Sequence, residues 1–490
     1  MTKELRRLSI LMLLMFLALF ASTSVIQVVQ AETLAENSRN TRALYDSYEV
    51  QRGSIIASGA AIASSVASDD VYSWQRVYVD GDMWAPVTGY INPALGAATG
   101  IEQAMNQELS GTAGAQFLAR IDRILTGQPP RGSNVELTLD AAVQRAAYDA
   151  LGDLQGAVIA IEPATGRVLA MVTSPSYDTN LLASHNTGEV NDVYDALDAD
   201  PTHPLFNRAI GGDLNPPGST FKLVTAAAAL EGGAVTPDQQ IPAPDQLQLP
   251  QSSSVLNNFG GESCSPTGTT TLADALRTSC NTAFAQLGID LGPEALDEQA
   301  KAFGFDSRMS IPLQVTSSQF PLEVDGATID SAKTALSAIG QYDVKVTPMQ
   351  VAMISAAIAN GGTLMQPYMI DRVRTPDLTV AVETDPEEIG TPISRETADT
   401  LRDMMIGVVQ DGTGTSAQIS GVQVAGKSGT AETTADAAPH AWFTSFAPAD
   451  DPQVAVAVIV ENGGDAGNEA TGGRVAAPIA RAVMEAVINR

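Results

Sequence analysis

The feature that most limits what this chain can fold into is an uncharged, largely apolar stretch from Leu8 to Val29. A run of this length can cross the hydrocarbon core of a bilayer as one helix. Lys3, Arg6 and Arg7 precede it, so the positive-inside rule predicts a cytoplasmic amino terminus. A cleaved signal peptide is the alternative, because small residues follow Ala21. We favour an uncleaved, single-pass anchor in the cell membrane, and both interpretations place the rest of the chain outside the cytoplasm.

The remaining length and composition suit a folded, enzyme-sized protein. With 490 residues and 44% hydrophobic content, the chain can form at least two folded units. The formal net charge of −29 argues against a nucleic-acid partner, because phosphate contacts require clustered Lys and Arg. The histidines are too scattered and the cysteines too few for a zinc site, so we predict no metal.

The two cysteines, Cys264 and Cys280, are close in sequence. In an exported protein they could form a disulfide across a short loop. Two free, buried thiols are the alternative, and the sequence leaves this choice open.

The sequence pattern changes at residue 135. Residues 31–134 mix short apolar runs with Gly and Ser and show no strong helical period, which predicts a small, mixed, extended module. From Val135 to Leu139 apolar and polar residues alternate as in a strand, and Asp140 then caps a predicted helix from Ala141 to Leu151. We therefore expect an anchor at 1–30, a module at 31–134 and a larger domain at 135–490.

The larger domain is predicted to be α+β. A hairpin from Gly156 to Val172 begins a sheet, and three later segments continue it at Val422–Val424, Trp442–Phe446 and Val454–Val460. The helices expected between and after these strands are Phe221–Leu230, Leu272–Leu276, Asn281–Leu287, Pro348–Ala359 and Ala476–Ile488. Strands that are distant in sequence but share a sheet, with helices between them, indicate a sheet-and-helix sandwich.

Ser219 and Lys222 lie where one of these helices should begin, after Pro216-Pro217-Gly218. Their spacing brings the amine within reach of the hydroxyl, as is needed for a base that takes the proton of a nucleophilic serine. A helix cap beside a surface lysine is the alternative. The chain has only six lysines, and Lys222 alone has a serine three residues before it, which favours the nucleophile and base.

Two further clusters could carry chemistry. Ser279 and Asn281 come just before a helical pattern, where a simple helix cap is again the alternative. Lys427, Ser428, Gly429 and Thr430 follow the predicted strand Val422–Val424, and a glycine there allows a ligand backbone to approach closely.

The third cluster also matches a phosphate-binding loop, from Gly421 to Ser428. Such a loop must follow a strand and open a helix. Here the strand is predicted within the motif itself and residues 433–439 are weak helix formers, so we set this interpretation aside.

Ser-x-x-Lys at Ser219, Ser-x-Asn at Ser279 and Lys-Ser-Gly at Lys427, in this order, resemble the active-site motifs of penicillin-binding proteins and serine β-lactamases. Other segments resemble the transpeptidase domain in particular: Gly156 to Pro175, Asn207-Arg208-Ala209, and Thr347-Pro348 to Asn360-Gly361-Gly362. The chain resembles class B penicillin-binding proteins and is most similar to the actinobacterial penicillin-binding protein A group. Arg52-Gly53-Ser54-Ile55 keeps the first half of a class B amino-terminal motif, whereas the Asp-Arg of the second half is missing.

This resemblance implies a penicillin-binding transpeptidase fold, with an antiparallel sheet flanked by helices, a helical subdomain and a pedestal-like or dimerisation-like module before it. It implies a peptidoglycan D,D-transpeptidase that β-lactams inhibit covalently, with room for a D,D-carboxypeptidase side activity, and no cofactor. The implied partners are stem peptides ending in D-Ala-D-Ala, β-lactam antibiotics, the cytoplasmic membrane, and division or elongation proteins such as a glycan polymerase.

The resemblance also assigns roles to the residues. Ser219 is the nucleophile and Lys222 its base; Ser279 relays a proton to the departing amine, Asn281 holds the substrate amide, and Lys427 supplies positive potential. In the Ser428-Gly429-Thr430 segment the two hydroxyls hold the terminal carboxylate, and the N–H groups of Ser219 and Thr430 form the oxyanion hole.

Two alternatives share these motifs. A serine β-lactamase or β-lactam sensor is disfavoured by the amino-terminal module and by the few residues predicted to be cytoplasmic. A catalytically silent division scaffold is disfavoured because all three motifs are intact.

Overall fold

The computed structural model describes residues 2–30, 50–70, 72–92, 95–113, 131–433 and 437–490. Several parts of the predicted module at 31–134, namely residues 31–49, 71, 93–94 and 114–130, lie outside the described residues, as do residues 434–436.

An apolar helix begins the described chain. It spans Thr2–Ser24 and continues as a π-helical turn at Val25–Val29. The segment Lys3–Gln27 is long and apolar enough to cross a membrane, and it is not buried against the rest of the protein. By length and composition it therefore fits the predicted anchor.

A six-stranded sheet, which we call the N-terminal sheet, joins distant parts of the chain. Its strands, in spatial order, are Val380–Glu383, Ile370–Arg374, Asn134–Leu137, Ile55–Ala57, Ala60–Ala67 and Trp74–Tyr78. The pairing of Ile55–Ala57 with Asn134–Leu137 is parallel, and the other pairings are antiparallel. The sheet therefore crosses residue 135, where the sequence pattern changes, and takes its outermost hairpin from residues 370–383.

A buried ion cluster holds the inner face of this sheet. The Glu102 carboxylate is fully buried and accepts from Arg52 Nη2 at 2.8 Å and from Arg76 Nε at 2.6 Å. The Tyr78 hydroxyl donates to it at 3.3 Å. Burial alone would raise the pKa of Glu102, but the two arginines outweigh burial and hold that pKa below its ordinary value. Arg52, from the retained half of the class B motif, is thus part of the core of the module.

A second, five-stranded sheet, which we call the central sheet, forms the middle of the larger domain. Its order is Ala425–Ala431, His440–Ala447, Val454–Val460, Gly156–Ile161 and Val168–Ser174, with every neighbouring pair antiparallel. Helices Ala141–Leu151 and Ala477–Ile488 pack on one face, and Pro348–Ala359 packs on the other. Because both faces are covered, Val454–Val460 is buried along its whole length. This arrangement confirms the predicted α+β fold.

The helical part lies between the hairpin and the last three strands. The helices from residue 179 to 410 are Thr179–Ala183, Thr187–Ala199, Lys222–Glu231, Leu272–Arg277, Asn281–Leu291, Pro293–Ala302, Ser331–Ser337, Pro348–Ala359 and Arg395–Gln410. Short strand pairs connect them: Gln240–Pro242 with Thr269–Thr271, Gln246–Gln248 with Val255–Asn257, Met309–Ser310 with Gln314–Val315, Glu323–Val324 with Ala327–Thr328, and Leu364–Met365 with Glu388–Gly390. The amino-terminal module adds Gly81–Thr88, Gly100–Ala104, Asn106–Ser110 and the pair Ile91–Asn92 with Ala97–Ala98.

One predicted strand was misplaced. The sequence indicated Val422–Val424, whereas the strand runs over Ala425–Ala431. Small residues have low strand propensity, but here packing decides: a Cβ added to Gly426 would lie 2.9 Å from the Phe443 ring on the next strand. Lys427 and Ser428 therefore lie within the strand, which is incompatible with a phosphate-binding loop.

Candidate active site

Ser219 lies on a tight turn at the entrance to a helix. The 3₁₀ turn Gly218–Phe221 leads directly into the helix Lys222–Glu231. Gly218 has φ of 52°, and its N–H donates to the Gly340 carbonyl at 2.9 Å. A Cβ on Gly218 would lie 2.5 Å from the Thr430 carbonyl oxygen. Glycine is therefore required where the turn presses Ser219 against the strand Ala425–Ala431.

Lys222 is fully buried behind this turn and reaches the second motif. Its Nζ donates to the Ser279 carbonyl at 2.7 Å and to Asn281 Oδ1 at 2.8 Å, and it lies 3.3 Å from Ser279 Oγ. The first two oxygens can only accept. A neutral amine would give both of its N–H groups to them and keep its lone pair free for a proton.

Lys427 is also fully buried, and its amine meets the same serine from the other side. Its Nζ donates to Ser279 Oγ at 2.9 Å and to the Ser428 carbonyl at 2.7 Å. Burial lowers the pKa of Lys427 to about 7. Burial, and then repulsion from Lys427, lower the pKa of Lys222 well below that of an ordinary lysine. These shifts favour the uncharged Lys222 that a base requires.

Ser279, the shared serine, has a strained backbone. Its φ is 59°, in the left-handed region that non-glycine residues enter at a cost of about 1–2 kcal/mol. It lies in the short connection between helices Leu272–Arg277 and Asn281–Leu291, and its N–H donates to the Leu276 carbonyl at 3.2 Å. The surrounding helices therefore hold the Ser279 hydroxyl between the two amines.

Hydroxyl groups form the end of the site beyond Lys427. Ser428 Oγ lies 2.6 Å from Thr413 Oγ1, and Thr430 and Thr471 line the same groove. Sequence reasoning missed Thr413 and Thr471. The available signal for Thr413 was a Gly-rich turn after the helix Arg395–Gln410, which does not indicate what the turn contacts.

The hydroxyl and amide groups of the site border one groove of about 1020 Å³. Of the residues predicted from sequence, Ser219, Ser279, Asn281, Ser428 and Thr430 line it, Lys222 and Lys427 are buried beneath it, and Gly429 lies between Ser428 and Thr430 in the strand. A Cβ on Gly429 would lie 2.9 Å from the Pro217 carbonyl, so only glycine fits there.

The opposite wall of the groove is the segment Val255–Cys264, part of which follows the strand Val255–Asn257. A disulfide joins Cys264 to Cys280, the residue between Ser279 and Asn281. Within the described residues, no group of three or more His, Cys, Asp or Glu side chains is arranged to hold a metal ion.

Known proteins are similar to this chain along its whole length. Residues 156–485 match the penicillin binding protein transpeptidase domain, and residues 52–135 match the penicillin binding protein A dimerisation domain. The chain is 44% identical over 498 aligned residues to the peptidoglycan D,D-transpeptidase PbpA of Mycolicibacterium smegmatis, covering 100% of this chain and 99% of that protein.

Solved structures of penicillin-binding protein A from M. tuberculosis superpose closely. The ceftriaxone acyl-enzyme complex gives a TM-score of 0.86 at 43% identity, covering 91% of this chain and 100% of the solved one. The penicillin G acyl-enzyme complex gives 0.84 at 43% identity, covering 90% and 100%.

Proposed function

The chain belongs to the penicillin-binding protein transpeptidase family, in class B, and from this premise we propose that it is a serine-type peptidoglycan D,D-transpeptidase of cell-wall synthesis. The observation that carries the proposal is the pair of buried amines meeting at Ser279, which lines the same groove as Ser219. A plain helix cap beside a surface lysine would have neither the burial nor the shared contact.

In the proposed acylation, Ser219 Oγ attacks the carbonyl carbon of the penultimate D-Ala of a stem peptide. Lys222 takes the hydroxyl proton, and the N–H groups of Ser219 and Thr430 stabilise the oxyanion. When the C–N bond breaks, Ser279 passes a proton to the departing D-Ala amine. The acyl ester on Ser219 remains.

In the second half, an acceptor amine attacks the ester carbonyl, gives up a proton through Ser279 and Lys222, and releases the Ser219 hydroxyl. Asn281 holds the substrate amide. Ser428 and Thr430 hold the terminal carboxylate of the donor peptide, with Thr413 orienting the Ser428 hydroxyl at 2.6 Å. In its protonated form, which a pKa of about 7 leaves partly populated near neutral pH, Lys427 supplies positive potential beside Ser428. A β-lactam carboxylate would use the same end of the groove.

The apolar helix supports membrane attachment. We place the amino terminus in the cytoplasm and the catalytic domain outside the membrane, because positive charges precede the helix. A single pass is supported by the one helix among the described residues that is long and apolar enough to span a membrane. The match of residues 52–135 to a dimerisation domain supports a separate, non-catalytic role for the module. Contacts with division or elongation proteins, including a glycan polymerase, are the corresponding proposal for its surface.

Labelling of the full-length protein in detergent with fluorescent penicillin tests the function. Stable labelling that is lost in Ser219→Ala but kept in Ser420→Ala, an exposed turn serine, supports the acyl-enzyme. Transfer of a stem peptide to an amine acceptor by the same preparation completes the assignment. Rapid turnover of the label would indicate a β-lactamase instead, and a wild type that never labels would indicate a scaffold.

A further inference from the structure

The helix that carries Asn281 has no capping side chain of its own. Asn281–Leu291 starts after Cys280, whose sulfur is in the disulfide and makes no cap hydrogen bond. The first N–H groups of a helix need acceptors from elsewhere. Asn258 supplies one from far earlier in the chain: its Oδ1 accepts from the N–H of Asn281 at 2.9 Å and from that of Thr282 at 3.1 Å.

The neighbouring residue fixes the side chain of Asn281. The Asn257 carbonyl accepts from Asn281 Nδ2 at 3.3 Å, while Asn281 Oδ1 accepts from Lys222 Nζ at 2.8 Å. Turning the amide over would set its NH₂ group against the amine of Lys222 and its oxygen against a carbonyl. Asn257 and Asn258 together therefore determine both where Asn281 lies and which end of its amide meets Lys222.

The choice of asparagine at position 258 is informative. The residue is 7% exposed, and within the described part of the chain its buried Nδ2 has no hydrogen-bond partner, an arrangement that costs about 1–3 kcal/mol. Aspartate would cap as well without this unpaired donor. It would, however, place a buried negative charge against the residue that contacts the Lys222 amine, and so favour the charged form of that amine. An uncharged acceptor avoids that.

We propose that Asn258 is a positioning residue for the reaction, holding the start of helix Asn281–Leu291 so that Asn281 Oδ1 meets the amine of Lys222. Asn258 acts through Asn281 on the base. The inference rests on the proposed function, because it concerns how the base of that reaction is held.

The test measures the rate of acylation by fluorescent penicillin against pH, with thermal unfolding, on full-length protein. Asn258→Ala should slow acylation at least about tenfold at every pH, because the cap is lost. Asp140→Ala is the matched control: Asp140 caps Ala141–Leu151 by accepting from two N–H groups, at 2.9 and 3.2 Å, away from the groove. That variant should lose stability and keep the acylation rate of its folded fraction.

Asn258→Asp separates positioning from simple stabilisation. It keeps the acceptor, so the maximal rate should return, but its charge should move the rising part of the pH profile to higher pH by raising the pKa of Lys222. The other charged groups that face this region are Lys427, through Ser279, and the carboxylates of Glu262 and Glu432 along the groove.

The outcomes separate the two proposals. A wild type that is never acylated refutes the proposed function. If the wild type is acylated, two results refute the positioning role alone. One is an Asn258→Ala variant that is acylated as fast as the wild type, and the other is equal slowing in Asn258→Ala and Asp140→Ala. If Asn258→Ala does not fold, Asn258→Asp decides: recovery at higher pH supports the role, and slow acylation at every pH overturns it.

Discussion

Replacing Lys427 by methionine should make the folded protein more stable while abolishing acylation. The lysine is fully buried, and burial lowers its pKa to about 7. In the unfolded chain a lysine has a pKa near 10.4, so at pH 7 the unfolded Lys427 is protonated. The folded Lys427 is protonated only about half the time at this pH. This difference in proton binding destabilises the fold by roughly 4 kcal/mol. Methionine has a similar length and no charge, and it avoids that cost.

Part of this gain is lost with the hydrogen bonds. The amine donates to Ser279 Oγ at 2.9 Å and to the Ser428 carbonyl at 2.7 Å. At about 1 kcal/mol each, their loss leaves a net stabilisation of about 2 kcal/mol at pH 7. Removing the charge also relieves the repulsion of Lys222, which acts in the same direction.

The pH dependence of this stability difference shows whether the buried amine of Lys427 causes it. From pH 7 to about 10.4 the folded Lys427 is neutral while the unfolded lysine is still protonated, so the wild type gains stability as pH rises through this window. The methionine variant lacks this group and gains nothing from it. Its advantage should therefore shrink with rising pH and reverse before about pH 10, where only the lost hydrogen bonds remain.

Urea unfolding of the full-length protein in detergent, followed through tryptophan fluorescence to which the buried Trp84 and Trp442 contribute, measures the difference. Lys333→Met, at a lysine whose side chain is 41% exposed, is the control and should change stability by less than about 0.5 kcal/mol. A Lys427→Met variant less stable than the wild type at pH 7, or an advantage that does not vary with pH, would refute the reasoning.

Three further outcomes follow from the same geometry. Acylation of the wild type should reach its maximal rate well below pH 10.4, the pKa of an ordinary lysine, because burial and then Lys427 lower the pKa of Lys222; a rate in pre-steady-state labelling that still rises tenfold per pH unit up to about pH 10 would indicate an ordinary lysine. Glu102→Gln should cost about 3–5 kcal/mol in urea unfolding, because two buried arginines lose their carboxylate, with labelling of the folded fraction unchanged. Folding lowers the pKa of Glu102, so its carboxylate stabilises the folded protein at pH values above its unfolded pKa of about 4.3. The stability difference between Glu102→Gln and the wild type should therefore shrink as the pH falls through the pKa of Glu102 in the folded protein. Gly340→Ala should slow labelling at least about tenfold, because its Cβ would lie 2.0 Å from the Gly218 carbonyl oxygen. Gly326 is the control: it has a similar φ of 77° but open space around it, so Gly326→Ala should label normally and lose about 1 kcal/mol of stability. Equal slowing in both variants would contradict this prediction.

Features set by neighbouring residues could be predicted from sequence. Pro348–Ala359 has the predicted bounds because Thr347 caps its start and Gly361 and Gly362 follow its end. Val454–Val460 also has its predicted bounds, since a continuous apolar run of this length is typical of a buried strand. The serine-lysine spacing was informative for the same reason, because one helical turn determines it.

Features that depend on residues distant in sequence could not be predicted from the sequence. Asn258 caps a helix that starts 23 residues later, and no local pattern marks an asparagine for that use. Thr413 meets Ser428 only after two elements pack together. The strand Ala425–Ala431 is composed of residues that local propensity would leave out of a sheet, and its place is decided by the ring of Phe443 and the turn that carries Ser219.

The hairpin Ile370–Glu383 has a consequence for how the protein matures. Ile370 pairs with Leu137 and Arg374 with Asn134, so the strand Asn134–Leu137 waits for more than two hundred further residues to be synthesised before its second neighbour arrives. Until then it presents a row of unsatisfied backbone groups to other chains. A nascent or truncated chain that stops before residue 370 should therefore be prone to aggregation, and the two halves of the protein should not be separable into independently folding pieces.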